Sequence, residues 1–172
     1  AQEDVPLFRA RTTQRERWRL MVLDRFDGTA FAPSSDLRAD LVPFQGPIPG
    51  ELDPDLPATQ VTQEVEIQEL GSFWLPAATT PIRVDAGRPV LANESFSSLT
   101  INRRLREGFS YTVVSQVPSI DAADLDGPVD YRDYPQLDPY TETGSLDREV
   151  RERAETVVAA KQADTPFEKG LA

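Results

Sequence analysis

The side chains most often used in catalysis are missing from this chain. Its 172 residues contain no cysteine and no histidine, which removes thiolate nucleophiles, disulfides and the commonest general base near neutral pH. Many carboxylates remain, but nothing singles out a pair spaced for glycoside hydrolysis. We therefore predict that the chain is not an enzyme by itself and that it carries no metal or cofactor.

One acidic segment has part of the pattern of a calcium-binding loop. In DAADLDG (121–127), Asp124 and Asp126 match the middle of an EF-hand loop. The first position of that frame is Ala122 and the twelfth is Asp133 instead of glutamate, so one ligand is absent and another is shortened. We interpret the segment as a helix start or a turn.

The remaining candidate binding features are aromatic and basic. Trp74, beside Phe73, and Tyr111 are weak candidates for an aromatic-lined groove, although core packing also explains such rings. The run RRLR (103–106) has the charge of an anion clamp. In an acidic protein, an exposed hairpin tip is the simpler interpretation of such a run.

Composition limits the partners. The net charge is −11 and the sequence pI is about 4.5, so the average surface repels nucleic acid, which we exclude as a partner. No apolar run approaches the roughly 18–20 residues that span a bilayer. Lys161 and Lys169 are the only lysines, and this preference for arginine indicates a GC-rich bacterial genome.

The segment WRLMVLDRFDGTAF (18–31) is apolar, and no histidine, cysteine or other candidate nucleophile lies near it in the sequence. Its pattern predicts a buried strand over 18–23. A turn at Asp27-Gly28 and a returning arm over 29–31 complete a hairpin.

Later segments predict further short strands. TQVTQEVEIQEL (59–70) places Val61, Val65 and Ile67 on one face, as in a half-buried antiparallel strand. The other predicted strands are 72–77 and 81–87, followed by a hairpin formed by 95–102 and 108–117. Together they predict a mainly β fold, a sandwich or partly open barrel of short antiparallel strands with a C-terminal helix, or alternatively an α+β fold.

The predicted organisation has four parts. They are an N-terminal arm (1–13), a β domain (14–117) with a proline-rich loop (33–57), a linker (118–144) with one helical turn near its start, and a helical end (145–172). In the last part, Ser145 is the predicted cap of a helix. The apolar stripe of that helix is Leu146, Val150, Ala154, Val157 and Val158.

The chain ends on a second helix-start signal. Thr165 is a capping threonine, Pro166 stands at the first helical position, and Glu168 completes a capping box. Only 169–172 follow, and four residues do not offset the cost of helix nucleation. We therefore expect the natural protein to continue beyond Ala172.

The order of these segments resembles a bacterial family of membrane-anchored transglutaminase-like proteins. WRLMVLDRFDGTAF is similar to the family signature Trp-Arg-x-x-x-Leu-Asp-x-Tyr-Asp-Gly-x-x-Trp, FWLPAATTPIRV (73–84) to its next landmark, and the last 25 residues to the helices that lead into its papain-like core. Phe26, Phe31 and Gly170 depart from the pattern. The signature residues of this chain are Trp18, Arg19, Leu23, Asp24, Phe26, Asp27 and Gly28.

This resemblance implies a location and a partner. It implies an actinobacterial protein in which the chain lies on the extracytoplasmic face of the membrane, between the membrane anchor and the catalytic domain. The catalytic cysteine, histidine and aspartate of the family lie beyond the helical end, so no catalytic residue is carried over. The helix stripe is then the expected contact with the catalytic domain.

Two functions remain open. The chain is either a non-catalytic accessory domain that positions or regulates the catalytic core and presents a protein or cell-wall substrate to it, or an autonomous module that binds a polysaccharide or peptide. An exposed Trp74 or Tyr111 would favour the module. An exposed apolar helix stripe would favour the accessory domain.

Overall fold

The computed structural model describes residues 5–33, 36–49, 56–125, 127 and 146–172. The chain forms two compact units. The first unit comprises Ala1–Val22 and Ser35–Ser119, and the second comprises Leu23–Ser34 and Ile120–Ala172. Most of the predicted linker (118–144) and the predicted cap Ser145 lie outside the described residues.

Nine strands and three helices occur within the described residues. The strands are β1 (Phe8–Thr12), β2 (Arg25–Phe26), β3 (Phe31–Ala32), β4 (Leu41–Pro43), β5 (Ala58–Ile67), β6 (Pro81–Asp85), β7 (Leu91–Asn93), β8 (Ser98–Thr100) and β9 (Ser110–Pro118). The helices are α1 (Ala122–Leu125), α2 (Arg148–Lys161) and α3 (Pro166–Leu171).

The main sheet of the first unit is antiparallel and has the strand order β1-β5-β9-β6. The longest of these strands, β5, behaves as its alternation predicts: Val61, Val65 and Ile67 are buried, while the intervening Glu64 and Glu66 are exposed. Side chains alternate between the two faces of a strand, so one face of this sheet is polar and the other meets the core.

The core of the first unit joins the main sheet to a smaller one. The smaller sheet has the order β4-β7-β8, and it contributes Ala92 and Leu99 to the same cluster that holds Val65, Ile67 and Val113 of the main sheet. Two faces therefore share one apolar interior, as in layered β proteins. The mainly β fold class is confirmed.

The predicted hairpin of 95–102 and 108–117 is wrong. Both segments form strands, but β8 pairs with β7, whereas β9 pairs with β5 and β6. The loop between them contains Leu105, which is buried and donates its N–H to the carbonyl of Ser72 at 2.8 Å. This anchor carries the chain from the small sheet to the main sheet, and so the two strands do not meet.

The buried strand predicted over 18–23 and the strand over 72–77 are also wrong. Both segments are largely irregular, and only isolated bridges form, between Arg19 and Ala77 and between Trp74 and Thr100. Proline at position 76 has no N–H to extend a ladder, so hydrogen bonding stops after single pairs.

Three strands were not predicted because they are short or lack clean alternation. β1 lies in the segment predicted as an N-terminal arm, β4 lies in the proline-rich segment, and β7 precedes β8. β1 is an edge strand paired with β5 from Phe8↔Ile67 to Thr12↔Gln63. The predicted domain boundaries stay predictions.

The second unit contains the β2–β3 hairpin and the helices. The hairpin, the helical turn α1 and the two C-terminal helices occur where the sequence predicts them. The cap of α2 was predicted wrongly: Asp147, two residues closer to the helix than Ser145, accepts the N–H of Glu149. No helix of the described residues has the length and apolar character needed to cross a bilayer.

A glutamine on the inner face of β5 is completely buried. The Gln63 amide donates to the Ser115 hydroxyl at 2.9 Å and to the Val61 carbonyl at 3.2 Å. Its oxygen accepts the N–H of Ala78 at 2.7 Å, and Ser115 donates back to the Ala78 carbonyl at 3.1 Å. Both ends of the amide are therefore satisfied, as burial of a polar group requires.

We predict that Gln63→Ala lowers the free energy of unfolding by about 2–4 kcal/mol, since it leaves the Ala78 N–H without its partner and opens a cavity. Urea unfolding measures this change. The control is Gln60→Ala on the same strand, where the side chain is exposed and the expected change is within about 0.5 kcal/mol. A loss below about 1 kcal/mol for Gln63→Ala would mean that the amide is not an essential contact.

Candidate functional site

Two landmarks of the sequence meet in the first unit. Arg19 of the Trp-Arg pair and Ala77 of the Leu-Pro-Ala segment exchange N–H···O bonds of 2.8 and 3.1 Å. The neighbouring Trp18 packs edge-on against Phe8, with ring centroids 5.4 Å apart. We name the contact of Arg19 with Ala77, together with the neighbouring Trp18, the motif junction. Its bonds are main-chain bonds, so its role is to hold two segments together.

The two aromatic candidates for ligand binding are buried. Trp74 is 6% exposed and Tyr111 is 5% exposed. The Tyr111 hydroxyl donates to the carbonyl of Pro76, and burial raises the pKa of Tyr111 well above its usual value. The hydroxyl therefore stays protonated as a donor that fixes the Leu-Pro segment. A binding role for either ring stays a prediction, and this geometry offers neither ring to a ligand.

The second part of the signature forms the β2–β3 hairpin of the second unit. The Asp27 carboxylate accepts the N–H of Ala30 at 2.9 Å and of Thr29 at 2.8 Å. These bonds, with that of Ala30 the larger cause, hold the pKa of Asp27 below its usual value. Gly28 has φ +99°, a conformation that favours glycine. The Asp-Gly pair therefore specifies the turn.

The strands of this hairpin carry an aromatic pair. The rings of Phe26 and Phe31 lie 4.9 Å apart, and Phe31 is 63% exposed. Cross-strand aromatic pairs stabilise a short ladder. The two phenylalanines that replace tyrosine and tryptophan of the signature thus keep the contact that a two-residue strand needs.

The predicted contact stripe of α2 is only partly covered within the second unit. Leu146, Val157 and Val158 are half-buried, whereas Val150 and Ala154 are exposed. Val150 is 56% exposed. An apolar stripe of this length on an otherwise charged helix suits a contact with a further surface. Its role as an interdomain contact stays a prediction.

The helix that follows begins with the predicted capping box. The Thr165 hydroxyl accepts the N–H of Glu168, while the Glu168 carboxylate accepts the N–H of Thr165 at 3.0 Å and of Asp164 at 2.8 Å. The bond from Thr165 is the larger cause of the lowered pKa of Glu168. The direction of the chain at the end of α2 is thus set by local hydrogen bonds.

The outer face of the main sheet bears an open polar groove of about 810 Å³. The arginines of β1 lie opposite the glutamates of β5 in this groove. One such pair, Arg11 and Glu64, forms an exposed ion pair of 3.4 Å. Tyr111 borders the groove, but its hydroxyl is engaged inside the core. Charges of both signs line this face, two arginines and three carboxylates, so the groove lacks a defined ligand chemistry.

The structure describes Asp124 but not Asp126 or Asp133 of the calcium-like segment. The Asp124 carboxylate accepts the N–H of Asp121 at 2.9 Å, which is the helix-start arrangement the sequence favours. Among the described residues, no group of carboxylates is placed to hold a metal ion.

Sequence reasoning missed the buried polar side chains that fix the loops. Asn93, at the end of β7, is 2% exposed and donates to the carbonyls of Leu37 and Ala39 at 3.1 and 3.0 Å. Its oxygen accepts the N–H of Phe96 at 3.1 Å. An asparagine three residues before an apolar residue in a turn is a weak signal of this bond, and it does not show the distant partners.

Comparison with known proteins adds one relation. Residues 1–122 of the chain match the family model of the TgpA N-terminal domain. Neither a curated protein nor a solved structure matches the chain. The matched region includes the motif junction and the β2–β3 hairpin, whereas α2 and α3 lie outside it.

We predict that Asp27→Ala frees the β2–β3 turn, because the N–H groups of Thr29 and Ala30 lose their acceptor. Amide hydrogen exchange at these two residues is expected to rise by about tenfold. Asp27→Asn keeps an oxygen acceptor and is the matched control, with a smaller rise. Equal rates in the wild type and Asp27→Ala would contradict the role of the carboxylate.

The same carboxylate predicts a pH dependence. Its pKa is lowered in the folded hairpin, so its contribution to the turn is fully present above the unfolded aspartate pKa of about 3.9 and is lost as the pH falls through the lower folded value. An NMR titration of the Thr29 and Ala30 amides should show that transition below the ordinary range. A transition at or above the ordinary value would contradict the hydrogen bonds.

Proposed function

This chain belongs to the TgpA N-terminal domain family, a transglutaminase-associated family, and we propose that it positions or regulates the catalytic core of a transglutaminase-like protein. The chain is an accessory region and not the catalytic core. It also has no cysteine to act as the nucleophile of such a core. Its contribution is then structural, through the surfaces it presents.

The observation that carries the proposal is the exposed stripe of α2. Val150, Ala154, Val157 and Val158 of α2 repeat at helical spacing, and Leu146 lies just before the helix cap. Val150 is more than half exposed. The capping box at Thr165 follows directly and turns the chain into α3. Of the described helices, α2 is the longest, and it offers an apolar face beside that chain direction. We infer that this face contacts the catalytic domain.

The proposal includes the location of the domain. We infer an actinobacterial protein in which this domain lies on the extracytoplasmic face of the membrane, between the anchor and the catalytic domain. The support is the resemblance of the Trp18-to-Phe31 signature and of the later landmarks to membrane-anchored transglutaminase-like proteins. In that position the domain would set the distance between membrane and catalytic centre and bring protein or cell-wall substrates near it.

An autonomous polysaccharide- or peptide-binding module has less support. Such a module needs accessible rings or an apolar cleft. Trp74 and Tyr111 are buried, and the groove on the main sheet is lined by charges of both signs. We therefore favour the accessory role.

The test uses one substitution at two positions of the same helix in the full-length protein. Ala154→Arg places a charge in the stripe, whereas Ala159→Arg places it about 140° away, since five residues advance the helix by about 500°, or one turn and 140°. Both alanines are exposed, and arginine is almost as good a helix former as alanine. Any difference between the variants therefore reports the face and not the helix.

We expect Ala154→Arg to lower the hydrogen-exchange protection of α2 by about tenfold, equivalent to ~1.4 kcal/mol of lost contact. Thiol-dependent activity of the core should change in the same variant. Ala159→Arg should leave both near the wild-type values. If the two variants behave alike, the stripe does not contact the catalytic domain and the proposal loses its main support.

A further inference from the structure

A cluster of four arginines surrounds a small pocket in the first unit. The pocket has a volume of about 100 Å³, roughly three times the 30 Å³ that one water molecule occupies in the liquid. Apolar side chains also line it. We name it the arginine cup and define it by Arg88, Arg103, Arg104 and Arg106 with Ile101, Leu105 and Phe109.

The loop that carries three of these arginines is fixed at several points. Leu105 is buried and bonded to Ser72. Towards β9, the Gly108 N–H donates to the Ile67 carbonyl at 2.9 Å, and the Ile67 N–H donates to the Phe109 carbonyl at 2.8 Å. The loop is therefore not the free hairpin tip that the RRLR run suggests. It is a folded connection whose anchored backbone places the three arginines beside one pocket.

The fourth arginine comes from a different part of the chain. Arg88 follows β6, and its guanidinium lies 5.3 Å from the centroid of the Phe109 ring. Cation–π contact with an aromatic face orients a guanidinium without consuming its N–H donors. Arg88 is thereby held at the cup with donors still available.

These positive charges have no acidic partner within the described residues. The ion pairs of the described residues include Arg11–Glu64 and Arg148–Glu152, and the four guanidiniums of the cup are in neither of them. All four arginines are exposed. In a chain of net charge −11, a local group of unpaired positive charges attracts small anions most strongly at low ionic strength.

The backbone leaves space for one of the guanidiniums. A Cβ added to Gly71 would lie 2.7 Å from Nη2 of Arg104. Any larger residue at position 71 would therefore displace the end of the Arg104 side chain. The contact is with the far end of a flexible side chain, so displacement costs the fold little while it moves the charge.

We propose that the arginine cup binds a phosphate group, either free or as part of a lipid headgroup. Arginine guanidiniums present rigid forks of N–H donors that match phosphate oxygens. A single phosphate carries up to two negative charges and enough oxygens to engage several guanidiniums, whereas one carboxylate engages fewer. The small volume admits one such group and little more.

The first experiment titrates the chain with inorganic phosphate at low ionic strength and follows the backbone amides of 101–109 by NMR. We expect saturable shifts confined to the cup and weaker shifts with acetate at matched ionic strength. Arg104→Gln should weaken phosphate binding by about tenfold. Arg83→Gln, an exposed arginine of β6 outside the cup, removes the same charge and should change the affinity by less than about twofold.

A second variant moves the charge without removing it. Gly71→Ala retains every arginine, so the net charge and the general electrostatic attraction are unchanged. We expect a several-fold weaker affinity together with a thermal midpoint close to that of the wild type. This combination separates a built pocket from a diffuse positive surface.

The last arm distinguishes the two sources of phosphate. Vesicles of phosphatidylglycerol are compared with vesicles of phosphatidylcholine in a sedimentation assay, with and without competing inorganic phosphate. If the chain binds the anionic vesicles, and if inorganic phosphate displaces it and Arg104→Gln abolishes the binding, the cup is a site for headgroups. Binding of inorganic phosphate alone assigns it to free phosphate.

Two results would overturn the proposal. The first is an equal loss of phosphate affinity in Arg104→Gln and Arg83→Gln, because a general charge effect would then explain the binding. The second is an affinity in Gly71→Ala equal to that of the wild type, because the position of Arg104 would then be irrelevant. None of these outcomes depends on the catalytic domain, so the cup is tested independently of the accessory role.

Discussion

One buried amide determines how the first unit is connected. Gln63 lies in the middle of β5, on the face where the other buried side chains are Val61, Val65 and Ile67. The oxygen of its side chain accepts the N–H of Ala78. Ser115 on the adjacent strand closes the arrangement from the other side. A glutamine buried in a β core is stable only when both ends of the amide are bonded. The path of the chain over 76–80 is therefore fixed by hydrogen bonds and not by packing alone.

The motif junction depends on that fixed path. Ala77 bonds to Arg19 on one side, while its neighbours Pro76 and Ala78 are held by Tyr111 and Gln63. The segment thus receives a hydrogen bond at three consecutive residues, each from a different element. Because proline prevents a regular ladder here, these individual bonds replace the strand pairing that the sequence pattern suggests. The Leu-Pro-Ala segment therefore has a structural role, since it holds neighbouring segments together. This role agrees with a region that lacks catalytic side chains.

The sequence predicted the parts of this molecule whose signals are local. The alternation of β5, the Asp-Gly turn after Phe26 and the capping box at Thr165 each depend on residues a few positions apart, and all three appear in the structure. The pairing of β8 with β7, the bridge from Arg19 to Ala77 and the partners of Gln63 join residues far apart in the chain. Neither propensity nor periodicity contains that information. The prediction that RRLR (103–106) is a hairpin tip was wrong for the same reason. The burial of Leu105 and the position of Arg88 depend on tertiary contacts.

The two units are held by different kinds of interaction, and this difference bears on function. In the first unit, a shared apolar core and buried amides leave little freedom to the strands. In the second unit, the hairpin and helix starts are set by exposed carboxylates that bond nearby N–H groups. Interactions of the second kind stabilise a direction of the chain but bury little surface. A helix with an exposed apolar stripe gains most of its stability from the surface that covers it. The order of the second unit therefore depends less on buried surface than the order of the first unit does.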